Sequence, residues 1–587
     1  MDKVNIKING VAVEANAGET ILEAARGAGF EIPTLCYLKD LNEIGACRIC
    51  VVEVKGMKNL PASCVFPVAE GMEISTISPK VYNARKHNLE LILSTHERKC
   101  LSCVRSGTCE LQKLCNEFKV EDEGSYDGEN IKYEFDDTAA HMYRDNNKCI
   151  LCRRCVAACG ARRQSVSVIG ANDRGFKTHI GSAFDMGLGD VACVSCGQCI
   201  IACPTGALSE RDQTEDVWNA INDPTKHVIV QTAPSIRVTL GEAFGMDIGT
   251  EVTGKMVAAL RRMGFDGVYD TDFAADLTIM EEAHEFIQRL TTGGTLPLIT
   301  SCSPGWIRFC EHYFPEFIPH LSTCKSPQQM FGAIAKTWYA QKHNLNPEDI
   351  FVVGIMPCTA KKFETQREDE CAAGPGISDC DVALTTRELA RMIERAGLKF
   401  TSLPDEEFDA PLGESSGAGV IFGATGGVME AALRTAVEWV SGEELQHLDF
   451  HDVRGIEGIK EASYDVAGTE VKVAVASGLS NARQLLERVK AGEAEYYFIE
   501  IMGCPGGCIN GGGQPVQPAS VRSFEPLRAL RAEALYSADR SKEVRKSHKN
   551  PMIEMLYKEF LGEPGSHKAH DILHTSYQVR DRFVSNR

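Results

Sequence analysis

The chain has 587 residues and a formal net charge of −19, enough length for several domains and a large core. The charge speaks against a nucleic-acid partner and says nothing specific about substrate. The 24 cysteines are too few for a small disulfide scaffold and many for an ordinary enzyme. The first residues, MDKVNIKINGVAVEA, carry no export signal, and no apolar run approaches the roughly 20 residues of a membrane span. The expectation is a cytoplasmic, reducing setting in which thiolates bind metal.

In chain order, VNIKINGVAVEA alternates apolar residues around Asn-Gly and predicts a β-hairpin, and GETILEAARGAGF predicts a short helix. Cys36, Cys47, Cys50 and Cys64 follow with Cx10Cx2Cx13C spacing. One long loop wrapping a [2Fe–2S] cluster in a β-grasp ferredoxin fits this spread better than two compact zinc knuckles. Next comes HERKCLSCVRSGTCELQKLC, in which His96, Cys100, Cys103, Cys109 and Cys115 compete for four ligand places. Spacing favours the four thiols. A histidine ligand removes one negative charge and raises a cluster's potential, so the residues alone leave His96 and Cys115 open.

Two Cx2Cx2Cx3C runs come next: Cys149, Cys152, Cys155 and Cys159, then Cys193, Cys196, Cys199 and Cys203 with proline after the last. They predict a bacterial two-cubane ferredoxin in which the fourth thiolate of each run crosses to the other [4Fe–4S] cube. One cube would take Cys149, Cys152, Cys155 and Cys203. The other would take Cys193, Cys196, Cys199 and Cys159. These accessory modules make a wire of four clusters, one [2Fe–2S] and three [4Fe–4S].

From about residue 211, strands such as HVIVQTAPS and DIFVVGIMPC alternate with amphipathic segments, as in α/β domains whose sites follow the strand ends. No Walker loop or GxGxxG fingerprint is present, and GATGGVMEAAL reads as a close-packed turn. The last segment, 525–587, predicts a helical extension without new cysteines.

Three signatures, TSCSPGW at 300–306, MPCTAKKFE at 356–364 and EIMGCPGGCINGGGQP at 500–515, resemble those of the [FeFe] hydrogenases, and the accessory part resembles that family's large form. The resemblance implies a multidomain chain. Its parts would be a β-grasp [2Fe–2S] domain at 1–80, a His/Cys3 [4Fe–4S] module at 81–120 and an α+β two-cubane ferredoxin at 139–210. An α/β catalytic domain at 211–524 and the C-terminal extension at 525–587 would complete it. It further implies an H-cluster, a [4Fe–4S] cube joined to a two-iron unit with CO, cyanide and azadithiolate, and the reaction H2 ⇌ 2H⁺ + 2e⁻.

By that likeness Cys358, Cys504 and Cys508 hold the cube, and Cys508 also reaches the two-iron unit. Lys361 meets a cyanide, while Ser235, Pro327, Gln328, Met356 and Met502 shape the pocket. His96 becomes the fourth ligand of its cluster. Glu282 and Glu285 stand at i,i+3 on one helix face, and with Cys302 and Ser322 they match a proton relay running Cys302, Glu282, Ser322, Glu285. The sequence departs from the family where two adjacent cysteines are expected. Cys302 takes the relay position, and Ser303 stands where a thiolate should complete the cube. That fourth ligand is open between Ser303, Cys324 and Cys302.

The expected partners are H2, protons and a redox protein. The resemblance favours the catalytic subunit of an NAD(P)-linked or electron-bifurcating complex with flavin- and NAD(P)-binding subunits. The alternatives are a stand-alone ferredoxin-linked hydrogenase and a sensory homologue. Against the sensor, every relay residue is kept and no signalling domain is added.

Overall fold

The computed structural model describes residues 2–121, 126, 130–466 and 468–583; position 1 and the last four of the expected C-terminal extension, 584–587, lie outside the described residues. At the N-terminus, Asn9 and Gly10 both take positive φ (50° and 84°), which joins strands Lys3–Ile8 and Val11–Asn16 through a tight turn matching the strand twist. Ile6 and Ile8 point into the core while Lys7 faces out. Two further strands, Glu53–Val54 and Glu73–Ser75, complete a four-stranded sheet. The helix Ile21–Gly27 starts on a capping box between Thr20 and Glu23 and packs on this sheet.

The two cysteine runs fold alike. Helices Arg154–Cys159 and Gln198–Ala202 pack together, and each is entered through a loop with two positive φ values, at Leu151 and Arg153 and again at Ser195 and Gly197. Alternating handedness turns successive N–H groups toward one concavity, where they favour negative charge.

Two four-stranded sheets carry the rest. One is fully parallel, in the order Gly267–Asp270, His227–Thr232, Ile350–Met356, Val382–Thr385. The second runs Leu298–Ile299, Phe498–Met502, Thr469–Ser477, Ile459–Val466, with only the last strand antiparallel. The long helix Thr271–Thr292 belongs to both cores, giving Phe273 and Leu277 to one and Ala275 and Ile279 to the other. Because it lacks a solvent face over most of its length, its carboxylates are buried between the sheets.

The glycine-rich loop before the helix Gly427–Ser441 is a close-packed turn. A Cβ at Gly426 would stand 1.8 Å from Val453 O, and one at Gly427 1.8 Å from Ile421 O. The buried Glu500 carboxylate accepts from Gly426 N (2.6 Å) and Met429 N (2.8 Å), filling the place where a phosphate would bind.

After residue 525, helices Leu527–Ser541, Pro551–Leu556 and His567–Leu573 wrap the catalytic part. Leu535 packs on Val420 and Ile509, and Leu573 joins the core of Met330 and Phe331. No helix among the described residues is long and apolar enough to cross a membrane.

Candidate active site and cluster sites

The three signature loops each leave the C-terminal end of a parallel strand, and they close on a cavity of about 80 Å³. Cys302 and Ser303 reach its wall from beyond Leu298–Ile299. Met356 ends the strand Ile350–Met356, with Cys358 and Lys361 just beyond it, and Met502 ends Phe498–Met502, with Cys504 and Cys508 beyond it. Pro327 and Gln328, at the start of helix Pro327–Ile334, close another side. Ser235 is not on the wall: its hydroxyl accepts from Gln514 Nε2 at 3.2 Å, and Ala233 and Pro234 line the cavity in its place. Phe422 and Gly423 also line it, and sequence reasoning missed them for lack of any polar signal.

The donors fit a four-iron cube. Cys358, Cys504 and Cys508 are charge neighbours, and burial pushes each thiol above its ordinary range, so they need a cation to become thiolates. The loop that carries two of them runs too close for side chains. A Cβ at Gly511 would stand 2.2 Å from Pro357 O, and one at Gly507, with φ +95°, 2.7 Å from Thr425 N. Of the three candidates for a fourth ligand, Cys324 is not on the wall, and its Sγ lies 3.9 Å from Glu285. Ser303 Oγ accepts from Gly503 N at 3.1 Å, beside Cys504. Burial raises the Cys302 thiol well above its usual range, with Glu282 the next cause and Cys508 after it.

Lys361 is buried, with Nζ 2.7 Å from Glu364 Oε2, 2.7 Å from Ser326 Oγ and 3.5 Å from the Cys302 carbonyl. Burial lowers its pKa, yet the charge and hydrogen bond of Glu364 outweigh that and raise it, so the site keeps a cation facing the cavity. Glu364 escaped the sequence reading because a carboxylate three residues from a lysine is ordinarily a surface pair.

From Cys302 a polar line runs away from the cavity. Glu282 is fully buried and pushed up to about 8, by burial first and by Glu285 second, so it is protonated at neutral pH. Ser322, which neighbours Glu282, donates to Glu285 Oε2 at 3.0 Å. Glu285 also accepts from Thr323 N (3.1 Å) and Arg289 Nη2 (2.6 Å).

The accessory thiols lie in groups. Cys36 Sγ accepts from Cys47 N at 3.5 Å, and Cys50 Sγ lies 3.3 Å from Cys64 Sγ. Burial raises Cys149 to about 12, with Cys203 as its charge neighbour, and Cys152 and Cys155 also share Cys203. Cys196 and Cys199 have Cys193 and Cys159 as neighbours. His96 Nδ1 is buried with no hydrogen-bond partner among the described residues, an orphan suited to a metal ligand. Cys115 stands against Leu111 and Leu114, with Cys109 and Cys100 nearby.

The groups are joined by specific contacts. Asn42 Nδ2 donates to the carbonyls of Cys36 (2.7 Å) and Cys152 (3.0 Å). Arg154 donates to Glu110 (2.7 Å) and to Tyr37 O (3.1 Å). A Cβ on Gly206 would meet Cys103 Sγ at 2.5 Å, and one on Gly512 would meet Cys196 O at 2.3 Å. Gln164 and Gln198 donate to the carbonyls of Gly503 (2.8 Å) and Asn510 (2.9 Å). The second cysteine run therefore lies directly against the loop of Cys504 and Cys508.

Family models match along the chain in the same order. They describe a 2Fe-2S iron-sulfur cluster binding domain at 1–79, an NADH-ubiquinone oxidoreductase-G iron-sulfur binding region at 85–123 and a 4Fe-4S dicluster domain at 148–207. The C-terminal domain of the iron only hydrogenase large subunit matches 226–512, and the iron hydrogenase small subunit matches 525–580. The chain is 49% identical over 594 residues to the NADP-reducing hydrogenase subunit HndD of Solidesulfovibrio fructosivorans, covering 99% of this chain and 100% of that one. It is 43% identical to iron hydrogenase 1 of Clostridium pasteurianum over 575 residues, 98% of this chain and 99% of that one. A variant of the apo [FeFe]-hydrogenase HydA1 from Chlamydomonas reinhardtii superposes with a TM-score of 0.57 at 41% identity, over 63% of this chain and all of that one. A thiol-lined cavity at the strand ends, abutting an array of cysteine modules and matched over nearly the whole length by these proteins, places the chain in the [FeFe] hydrogenase family.

Proposed function

We propose that the chain interconverts H2 with two protons and two electrons at an H-cluster, as the catalytic subunit of an NAD(P)-linked complex in a cytoplasmic setting. One observation carries this reading. A series of thiol groups ends at Cys504, and a line of proton-carrying groups begins at Cys302, on the wall of one cavity. The H-cluster, when bound, supplies the iron at which H2 is split or formed. Cys358, Cys504 and Cys508 would hold its cube with Ser303 at the fourth corner, because Ser303 Oγ lies toward the Cys504 loop. Lys361 presents its cation to anionic ligands of the cluster, and Met356 and Met502 fill space without adding charge.

Cys302 is a neutral thiol that both gives and takes a proton, and Glu282, Ser322 and Glu285 continue its line. On the electron side we assign one [2Fe–2S] and three [4Fe–4S] clusters, with His96, Cys100, Cys103 and Cys109 holding the second. The Asn42 and Gly206 contacts bring both N-terminal modules onto the cube of Cys149, Cys152, Cys155 and Cys203. The units 1–80, 81–120, 139–210, 211–524 and 525–587 follow this division. Ferredoxin as sole partner is the second reading, and the near full-length likeness to HndD favours the complex.

Anaerobically matured protein should oxidise H2 with a viologen as acceptor. A full complement of clusters without turnover would overturn the reading. Copurification from the native host should yield a flavin- and NAD(P)-binding subunit; a lone polypeptide would favour the ferredoxin-linked reading.

A further inference from the structure

The line of proton carriers is buried at its far end. Glu285 is 8% exposed, and the cation that holds it, Arg289, carries five donors and no acceptor, so it cannot take a proton onward. A different group stands beside Glu285. A ring nitrogen of His574, from just beyond the C-terminal helix His567–Leu573, lies together with a Glu285 oxygen and Cys324 Sγ, all within 4.8 Å of one another. One bridging water spans such a gap with two ordinary hydrogen bonds.

His574 is fixed from both ends, with Nδ1 2.7 Å from Thr323 Oγ1 and Nε2 3.1 Å from Glu281 Oε2. The Tyr557 hydroxyl in turn donates to Glu281. The His570 ring stacks on His574, with centroids 4.6 Å apart and planes 12° apart, and His570 is exposed. A metal ion is the competing explanation for a Glu, Cys and His so placed. The polar atoms argue against it, since Glu285 already accepts from Ser322, Thr323 and Arg289, and both nitrogens of His574 have partners.

We infer that His574 and His570, in the C-terminal extension, form the proton exit between Glu285 and solvent. A proton passes from the Glu285 carboxyl through a bridging water to the Thr323 hydroxyl, which gives its own proton to Nδ1 of His574, and the imidazolium then releases a proton to water beside exposed His570; no electrons move in this step. Imidazole is the side chain that exchanges protons near neutral pH without leaving its ordinary range. The charged and titratable groups facing His574 are Glu281 and Glu285 of the long helix with Arg289 behind them, Cys324, Tyr557 and His570.

The inference rests on the proposed function, and the tests separate the two. Wild-type protein that never turns over H2 defeats the function. The exit is tested by His574→Ala and by His570→Ala, a surface change that spares the fold. At limiting buffer both should lower H2 turnover about tenfold or more, enlarge the solvent isotope effect, and recover with added imidazole.

The same variants are also compared without the two-iron unit. There, deuterium exchange into the buried glutamate carboxyls, followed by their infrared C=O band, should be slower than in wild type. Wild-type turnover, pH profile and exchange rate in both variants would overturn the exit. So would a loss in His574→Ala that imidazole does not restore, with the exchange rate unchanged.

Discussion

Cys302 and Ser303 are neighbours in sequence and face different chemistry. The thiol's leading charge neighbour is Glu282, and the hydroxyl accepts from Gly503 N at 3.1 Å. Cys302→Ala should keep the iron content and cut turnover by about a hundredfold or more, the scale of a lost proton-transfer group. Ser303→Ala should instead lower iron at the catalytic cube while the accessory clusters stay intact. Iron analysis beside electron paramagnetic resonance distinguishes the two, and loss of the cube in Cys302→Ala would reassign that thiol as a ligand.

Glu282 sets a pH dependence. Its carboxyl is raised from 4.5 to about 8 by burial, so its contribution to stability is fully present below about 4.5 and is lost as pH rises through about 8. Glu282→Gln cannot ionise. Its melting temperature should fall less between pH 5 and pH 9 than that of wild type, and its turnover should be lost at every pH. Equal pH slopes for the two proteins would show that Glu282 does not titrate in this window.

At the scale of elements, the C-terminal extension is bound to the catalytic part by buried charge. Arg434, on the helix Gly427–Ser441, donates to both oxygens of Asp539 on Leu527–Ser541 (3.0 and 2.9 Å), and Arg545 donates to the same carboxylate. Burial alone would raise Asp539, and the two guanidinium groups hold it below its usual range instead. Asp539→Ala removes one of the two buried carboxylates that pair with Arg434, Glu430 at 2.6 Å being the other, and should lower the melting temperature with the accessory clusters retained. An unchanged melting temperature would mean that the extension is held by Leu535, Leu573 and their apolar neighbours alone.

Strand and helix types here were legible where a pattern carried them: the alternation of VNIKI, the Asn-Gly turn and the apolar runs before each signature. The burial of the helix Thr271–Thr292 was not. Its carboxylates at i,i+3 read equally as a solvated face until two sheets close around it.

Across the whole molecule, two kinds of path meet at one cavity. The cysteine modules reach it through Cys196, whose carbonyl packs at Gly512, and the carboxyl line leaves it past Cys302 toward the C-terminal helices. The chain's own residues join the modules through Asn42, Arg154, Gln164 and Gln198. By itself the sequence determined the sets of thiols, because cluster ligation needs particular side chains at short spacings and those survive any folding of the rest. It left Ser303, Cys324 and Cys302 open for the fourth corner and could not find His574, which bonds Glu281 across 293 positions. Those depend on which side chains share a buried wall, and only the packing of two sheets around one helix brings such distant residues within hydrogen-bond reach.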